Sequence, residues 1–219
     1  MPRALFEKTG RAVWMSHLDL MRLFQRAFKR AGLPLTHSHG YNPRPSVSIA
    51  LPLSVGVSSA CELLDFDLEG ERVSCDEICR RLNEALVEGV RVRQVYDDGR
   101  KIRDLALLDC NLTLEYDAGI DGDGLRKLEE LFSRSQLFVE KKSKNGVTEQ
   151  DIIPIIRALQ LTKQDRHTLI IRARVCCQNP TLNPMQLPAA ISRHLPELTP
   201  DHVVCSRLEI YDTNETIFR

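Results

Sequence analysis

Apolar and polar positions in this chain follow two periods that alternate along its length. Arg3 to Lys8 and Arg11 to Met15 have the alternation of two short strands around a Thr9-Gly10 turn. Leu20, Met21, Phe24, Ala27, Phe28 and Ala31 then recur at helical spacing. Ser16 is an N-cap residue with Asp19 three positions on, and Gly32 followed by Pro34 stops the helix. After Gly32 a short extended stretch leads into a loop rich in His, Gly, Asn, Arg and Pro. Val47, Ile49 and Leu51 alternate with Ser46, Ser48 and Ala50, and Leu64, Phe66 and Leu68 alternate with Asp65 and Asp67. Both stretches predict half-buried strands. Ser74 with Glu77 opens a second capped helix, carried by Ile78, Leu82, Ala85 and Leu86 and ended by Gly89. Val90 to Tyr96 predicts a closing strand.

The polar run Asp97-Asp98-Gly99-Arg100-Lys101 is a domain boundary by composition. Beyond it, Leu108, Cys110, Leu112, Leu114 and Tyr116 alternate cleanly with polar residues. A helix with Leu125, Leu128, Leu131 and Phe132 follows. Leu137–Lys142 and Ile152–Leu159 predict strands, with a basic tip at Lys141 to Gly146 between them. Leu169 to Val175 is another strand, with Arg172 and Arg174 on its second face. A helix lies within 184–195, with Pro188 marking its first turn, and Val203 to Tyr211 closes the domain. The expected fold class is α+β, as two tandem ferredoxin-like domains of the β-α-β-β-α-β type, at residues 1–97 and 98–219.

The chain has 219 residues, is 42% hydrophobic and 27% charged, and carries no formal net charge. A neutral total rules out a global field that attracts nucleic acid or membrane, so any such attraction has to be local. The distribution is uneven. Residues 1–60 hold eight basic side chains against two acids, and residues 61–97 hold ten acids against five arginines. The seven cysteines have no disulfide framework spacing and no zinc pattern, and no apolar stretch is long enough to be a signal or a membrane span. These features predict a cytoplasmic protein with unliganded cysteines and imply no metal and no cofactor. Cys75 and Cys79 share the apolar stripe of their helix and are expected in its core.

Two features go beyond fold building. Arg22, Arg26, Lys29 and Arg30 share the face of the first helix opposite its apolar stripe, where like charges repel by a few tenths of a kcal/mol per pair. A phosphate backbone relieves that repulsion, and so do the acids of residues 61–97. The segment His37-Ser38-His39-Gly40-Tyr41-Asn42-Pro43-Arg44-Pro45 is stiffened by its prolines. Tyr41 can stack on an unpaired base, Arg44 can hold a phosphate, and Asn42 and the histidines can bond base edges. The expected RNA- or ligand-binding residues are therefore Arg22, Arg26, Arg30, Tyr41, Asn42 and Arg44. Arg172 and Arg174 can extend a cationic groove between the domains.

Lys8-Thr9-Gly10, Ser16-His17-Leu18-Asp19 with Arg22, Pro34, Ser38, Gly40-Tyr41-Asn42-Pro43 and Pro45 form a signature. Leu51-Pro52-Leu53, Gly56 and Glu62 extend it. Over roughly the first 65 residues the chain resembles bacterial proteins of unknown function described as radical-SAM-linked or radical-SAM-associated. That resemblance implies a cobalamin-type radical-SAM protein as partner and genes lying near those for ribonucleases and ribosomal proteins. The chain lacks the C-x-x-x-C-x-x-C cluster motif, so it is not itself the radical enzyme. The resulting expectation is a binding module rather than an enzyme. It would bind ribosomal or transfer RNA, or present a partner, in RNA modification or processing. Two alternatives stand beside it: a metal-independent endoribonuclease using His17, His37, His39 and Tyr41 in acid–base chemistry, and a protein–protein adaptor.

Overall fold

The computed structural model describes residues 1–143 and 146–219. In chain order the elements are β1 (Arg3–Lys8), α1 (His17–Arg30), β2 (Val47–Ile49), β3 (Val57–Phe66), α2 (Cys75–Ala85) and β4 (Val90–Tyr96). Then come β5 (Leu105–Glu115), α3 (Gly122–Phe132), β6 (Phe138–Ser143), β7 (Gly146–Asp151), β8 (Ile156–Lys163), β9 (Thr168–Cys176), α4 (Gln186–His194) and β10 (His202–Asp212). The fold is α+β. It divides into Met1–Asp104 with Ile217–Arg219, and Leu105–Thr216. The division thus falls a few residues after the polar run at 97–101, which lies within the first unit.

The last three residues join the first unit for a physical reason. Phe218 is fully buried, and the guanidinium carbons of Arg3 and Arg100 lie 5.7 and 5.0 Å from its ring centroid. The Arg100 N–H donates to the Arg219 carbonyl at 3.0 Å.

In the first unit the strands pair antiparallel in the order β4-β1-β3-β2. The apolar sides of α1 and α2 meet this sheet. Phe24 of α1 packs edge-to-face on Phe6 of β1 with ring centroids 4.8 Å apart, and Phe28 packs on Phe66 of β3 at 4.9 Å. Ile78 and Leu82 of α2 complete the same core, with Cys75 and Cys79 against its edge. A fourteen-residue helix is marginal by itself, so α1 depends on this burial. Each buried phenylalanine contributes about 1.5–3 kcal/mol.

The stretch expected as a second strand, Arg11 to Met15, instead falls in a 3-10 turn, Gly10–Trp14, with Met15 as its C-cap. The cause is Lys8. Its side chain is wholly buried, and its ammonium donates to the carbonyls of Val13 and Met15 at 3.1 Å and of Ser54 at 3.4 Å. Carbonyls that a strand would offer to a neighbour are collected around one cation. The turn is closed by Gly89, whose carbonyl accepts from the Thr9 N–H at 2.7 Å. A Cβ at Gly89, which has φ +88°, would lie 2.5 Å from the Thr9 carbonyl oxygen, so only glycine fits there.

In the second unit the antiparallel order is β10-β5-β9-β8, and β6 and β7 pair in a separate two-stranded sheet. Residues 153–155 form a 3-10 turn containing Pro154, so the strand expected from Ile152 begins only at Ile156. The sequence pattern did not predict β7, because its residues are almost all polar. Of the basic tip expected at Lys141 to Gly146, Lys144 and Asn145 lie outside the described residues. Pro188 sits in the first turn of α4, where its missing N–H costs nothing.

The cysteines give a simple test of this packing. Burial pushes the Cys110 thiol up to about 12 and the Cys205 thiol up to about 11. Only Cys75 and Cys79 are partly exposed. Iodoacetamide at pH 8 is expected to label Cys75 and Cys79 first, with Cys110 and Cys205 modified only on unfolding, as peptide mass spectrometry would show. Early labelling of Cys110 would contradict the packing of β5 against β9 and β10.

Candidate nucleic-acid interface

The N-terminus of α1 is capped as its sequence implies. The Ser16 hydroxyl oxygen accepts from the Asp19 N–H at 3.2 Å, and its O–H donates to the Asp19 carboxylate at 2.7 Å. That hydroxyl, with the Arg22 guanidinium 3.2 Å away, holds the Asp19 carboxyl below its usual range. At the other end the helix closes in a Schellman motif. Gly32 takes φ +66°, its N–H donates to the Lys29 carbonyl at 3.3 Å, and the Leu33 N–H donates to the Phe28 carbonyl at 3.0 Å.

This C-cap carries one side of a cavity of about 500 Å³. Phe28, Leu33 and Leu35 supply buried apolar surface, and the rings of Pro34 and Pro45 add two more walls. The polar side chains at the cavity are Gln25 and Lys29 from α1, His37 from the following loop, and Glu69 beyond β3. Backbone bonds hold these segments in place. Thr36 N–H donates to Asp67 C=O at 3.0 Å, Asp67 N–H to Ser46 C=O at 3.1 Å, and Glu69 N–H to Pro34 C=O at 2.9 Å. His37 Nδ1 lies 3.9 Å from Glu69 Oε1.

The proline-flanked loop is a closed hairpin. Ser46 N–H donates to Thr36 C=O at 2.8 Å, and Ser38 N–H to Arg44 C=O at 2.8 Å. The Arg44 N–H donates to the Ser38 hydroxyl at 2.9 Å. His37 and Pro45 are bridge partners, so the arm rises from the cavity mouth. Tyr41 stands at the tip, fully exposed, up to about 13 Å beyond that pair by strand rise. His39, Asn42 and Arg44 are exposed on the same hairpin.

The predicted basic residues separate into two groups. Arg30 donates to the Ala85 carbonyl at the last turn of α2 at 2.5 Å, a helix-end tie that gives it a structural task. Arg22 shares Asp19, though both remain more than half exposed. Arg26, Lys29 and Arg44 are exposed, and their side chains have no hydrogen-bond or ion-pair partner among the described residues. Among the described residues no acid of residues 61–97 forms an ion pair with Arg26 or Lys29. Arg80 and Arg81 take Glu77 and hold its carboxyl down at about 2, while Arg72 takes Asp97 and Arg3 takes Asp65.

The four candidate acid–base residues do not converge. His37 lies at the cavity with Lys29. His17 begins α1, about 18 Å away from Lys29 along the helix axis. His39 and Tyr41 stand on the open hairpin. Among the described residues no group of three or more His, Cys, Asp or Glu side chains is placed to hold a metal ion, and no helix is long and apolar enough to cross a membrane. In the second unit Arg174 is fixed to Asp109 at 2.7 and 2.9 Å, to Glu215, and over the Tyr211 ring at 4.2 Å. Its charge is therefore already used, while Arg172 is exposed.

Sequence reasoning did not find Glu69 as a cavity residue. It stands 32 positions from His37, and the Leu35–Leu68 bridge with the backbone bond from Glu69 to Pro34 brings it there. Gln25, Phe28 and Leu33 had a signal, since they surround the predicted helix stop.

Residues 2–184 match the family described as "Uncharacterized protein conserved in bacteria (DUF2344)". The chain belongs to this family. The match takes in the capped helix, the cavity and the hairpin, and reaches into the second unit. No curated protein matches. Among solved structures the chain is similar to one in "Crystal Structure of a Cbf5-Nop10-Gar1 Complex", at 10% identity and a TM-score of 0.51, covering 95% of this chain and 48% of that one. The chain thus spans about half the length of that neighbour, and the likeness concerns the fold alone. "Crystal Structure of an Unknown Protein from Galdieria sulphuraria" is 11% identical with a TM-score of 0.26, covering 94% of this chain and 96% of that one.

Proposed function

We propose that the protein is a non-catalytic module of the cytosol that binds single-stranded stretches of RNA, ribosomal or transfer RNA, and presents them to a radical-SAM enzyme. Two tandem ferredoxin-like domains would form its frame. Support for that frame is the strand order shared by both units, with the last strand beside the first and the third beside the second. Support for RNA is one observation above the others: Arg26, Lys29 and Arg44 are exposed cations without carboxylate partners among the described residues, beside a stiff hairpin carrying Tyr41. Fixed cations attract a phosphate backbone by releasing its counterions, and an exposed tyrosine offers a stacking face to any base.

Three phosphate contacts on a single strand predict a salt slope near −2, so affinity should fall roughly twentyfold between 50 and 200 mM salt. Fluorescence anisotropy with a labelled twelve-nucleotide RNA measures this. Absence of binding at 50 mM salt would remove RNA from the reading.

A protein-contact role is favoured at the other end of α1. Trp14 is 70% exposed and Leu18 65% exposed, and Val55, beside Gly56 near the Trp14 ring, is 53% exposed. Large apolar side chains concentrated in water mark contact sites. Trp14→Ala is expected to weaken capture of a purified cobalamin-type radical-SAM protein by tenfold or more while RNA binding persists. Equal capture by the variant would separate that partner from this face.

A further inference from the structure

We infer that the 500 Å³ cavity at the end of α1 receives a single unstacked guanine of the bound RNA, with Glu69 reading its Watson–Crick edge. This rests on the RNA reading above and names what that surface selects. The cavity is of ligand size. Its apolar lining combines the Phe28 side chain with the compact rings of Pro34 and Pro45, against which the face of a heterocycle can pack. Its polar groups are few. Lys29 stands on the α1 side, continuous with Arg26 one turn earlier, where the phosphates of a bound strand would lie. Glu69 and His37 stand together, 3.9 Å apart.

An ionised carboxylate offers acceptors only. Guanine is the base that presents two adjacent donors on one edge, N1–H and the N2 amino group, and so satisfies both oxygens of Glu69. Adenine, cytosine and uracil each place an acceptor next to their donor on that edge, and the carboxylate repels it. His37 Nδ1 stands 3.9 Å from the carboxylate on the same side of the cavity, within reach of a base held there. The backbone bond from Glu69 to Pro34 ties the reading group to the wall against which the base packs. The hairpin with Tyr41 then holds the neighbouring base by stacking.

The test compares labelled hexamers UUUGUU, UUUAUU, UUUCUU and UUUUUU at 50 mM salt. The G-containing hexamer is expected to bind about tenfold more tightly than the other three. Glu69→Gln is expected to bring that ratio down to about one, because an amide presents a donor beside its acceptor. Glu69 is exposed, so the variant folds as the parent does. Guanosine 5′-monophosphate alone is expected to bind more weakly than UUUGUU. Four hexamers of equal, salt-sensitive affinity would overturn the guanine assignment and leave the RNA reading standing. No hexamer bound while guanosine monophosphate binds and adenosine monophosphate does not would do the reverse: the cavity takes a free guanine nucleotide and RNA falls. Silence from every ligand would overturn both.

Discussion

Lys8→Met is expected to destabilise the first unit by about 3–5 kcal/mol, because three carbonyls lose a charge-assisted donor at once. Methionine matches the stem of lysine in length, so the change removes the ammonium and little volume. The carbonyls of Val13, Met15 and Ser54 then lose the shared donor that the buried Lys8 side chain brings to them. Each hydrogen bond to a charged group contributes about 1.5–3 kcal/mol, and the desolvation of the ammonium offsets part of the sum. Against a total stability of about 5–15 kcal/mol this is a large fraction. Urea unfolding followed by circular dichroism reads the loss as a lower midpoint at unchanged slope. A change below about 1 kcal/mol would mean that the ammonium's burial cancels its bonds and that the Gly10–Trp14 turn is held by other contacts. The effect reaches the candidate interface because that turn leads directly into the Ser16 cap of α1.

The triple variant Arg26→Glu, Lys29→Glu, Arg44→Glu is expected to lose RNA affinity by several hundredfold at 50 mM salt. Each phosphate contact to a single strand releases about 0.7 counterion, which at that salt corresponds to about eightfold per contact. Removing three contacts multiplies these factors, and the introduced carboxylates add repulsion. The salt slope should flatten towards zero together with the affinity. The three side chains are exposed and tied to nothing among the described residues, so the unfolding midpoint should move by no more than about 0.5 kcal/mol. Arg126→Glu is the matched control, since Arg126 is held by Asp123 and Glu130 on its own helix. A triple variant that binds RNA like the parent would discard the interface. The choice of residues comes from the structure. The sequence pattern favoured Arg22, Arg26, Arg30 and Arg44; the structure replaces Arg30, which serves the end of α2, and Arg22, which shares its charge with Asp19, by Lys29.

Several features were legible before any coordinates. The 2.0 and 3.6 periods locate the four helices and the strands other than β7, because alternation and helical stripes are properties of neighbouring residues. The limits of α1 follow from Ser16 and Gly32, since capping is chemistry within four residues of a helix end. Pro43 and Pro45 restrict the backbone of the residues before them in the same local way.

What was missed depends on partners distant in sequence. Arg11 to Met15 alternates like a strand, yet its carbonyls meet the Lys8 ammonium and it turns. Glu69 counts as one acid among ten until the Leu35–Leu68 bridge places it opposite His37. Arg30 and Lys29 are adjacent and chemically alike, but one reaches a carbonyl fifty-five positions away and the other faces the cavity. The sequence by itself determined where the four α-helices and the apolar-patterned strands lie and which side of each is apolar, because covalent neighbours and backbone geometry decide those. Only the tertiary structure decided which charges are already spent and which remain for a ligand, because a charge finds its partner through space and no local pattern encodes that distance.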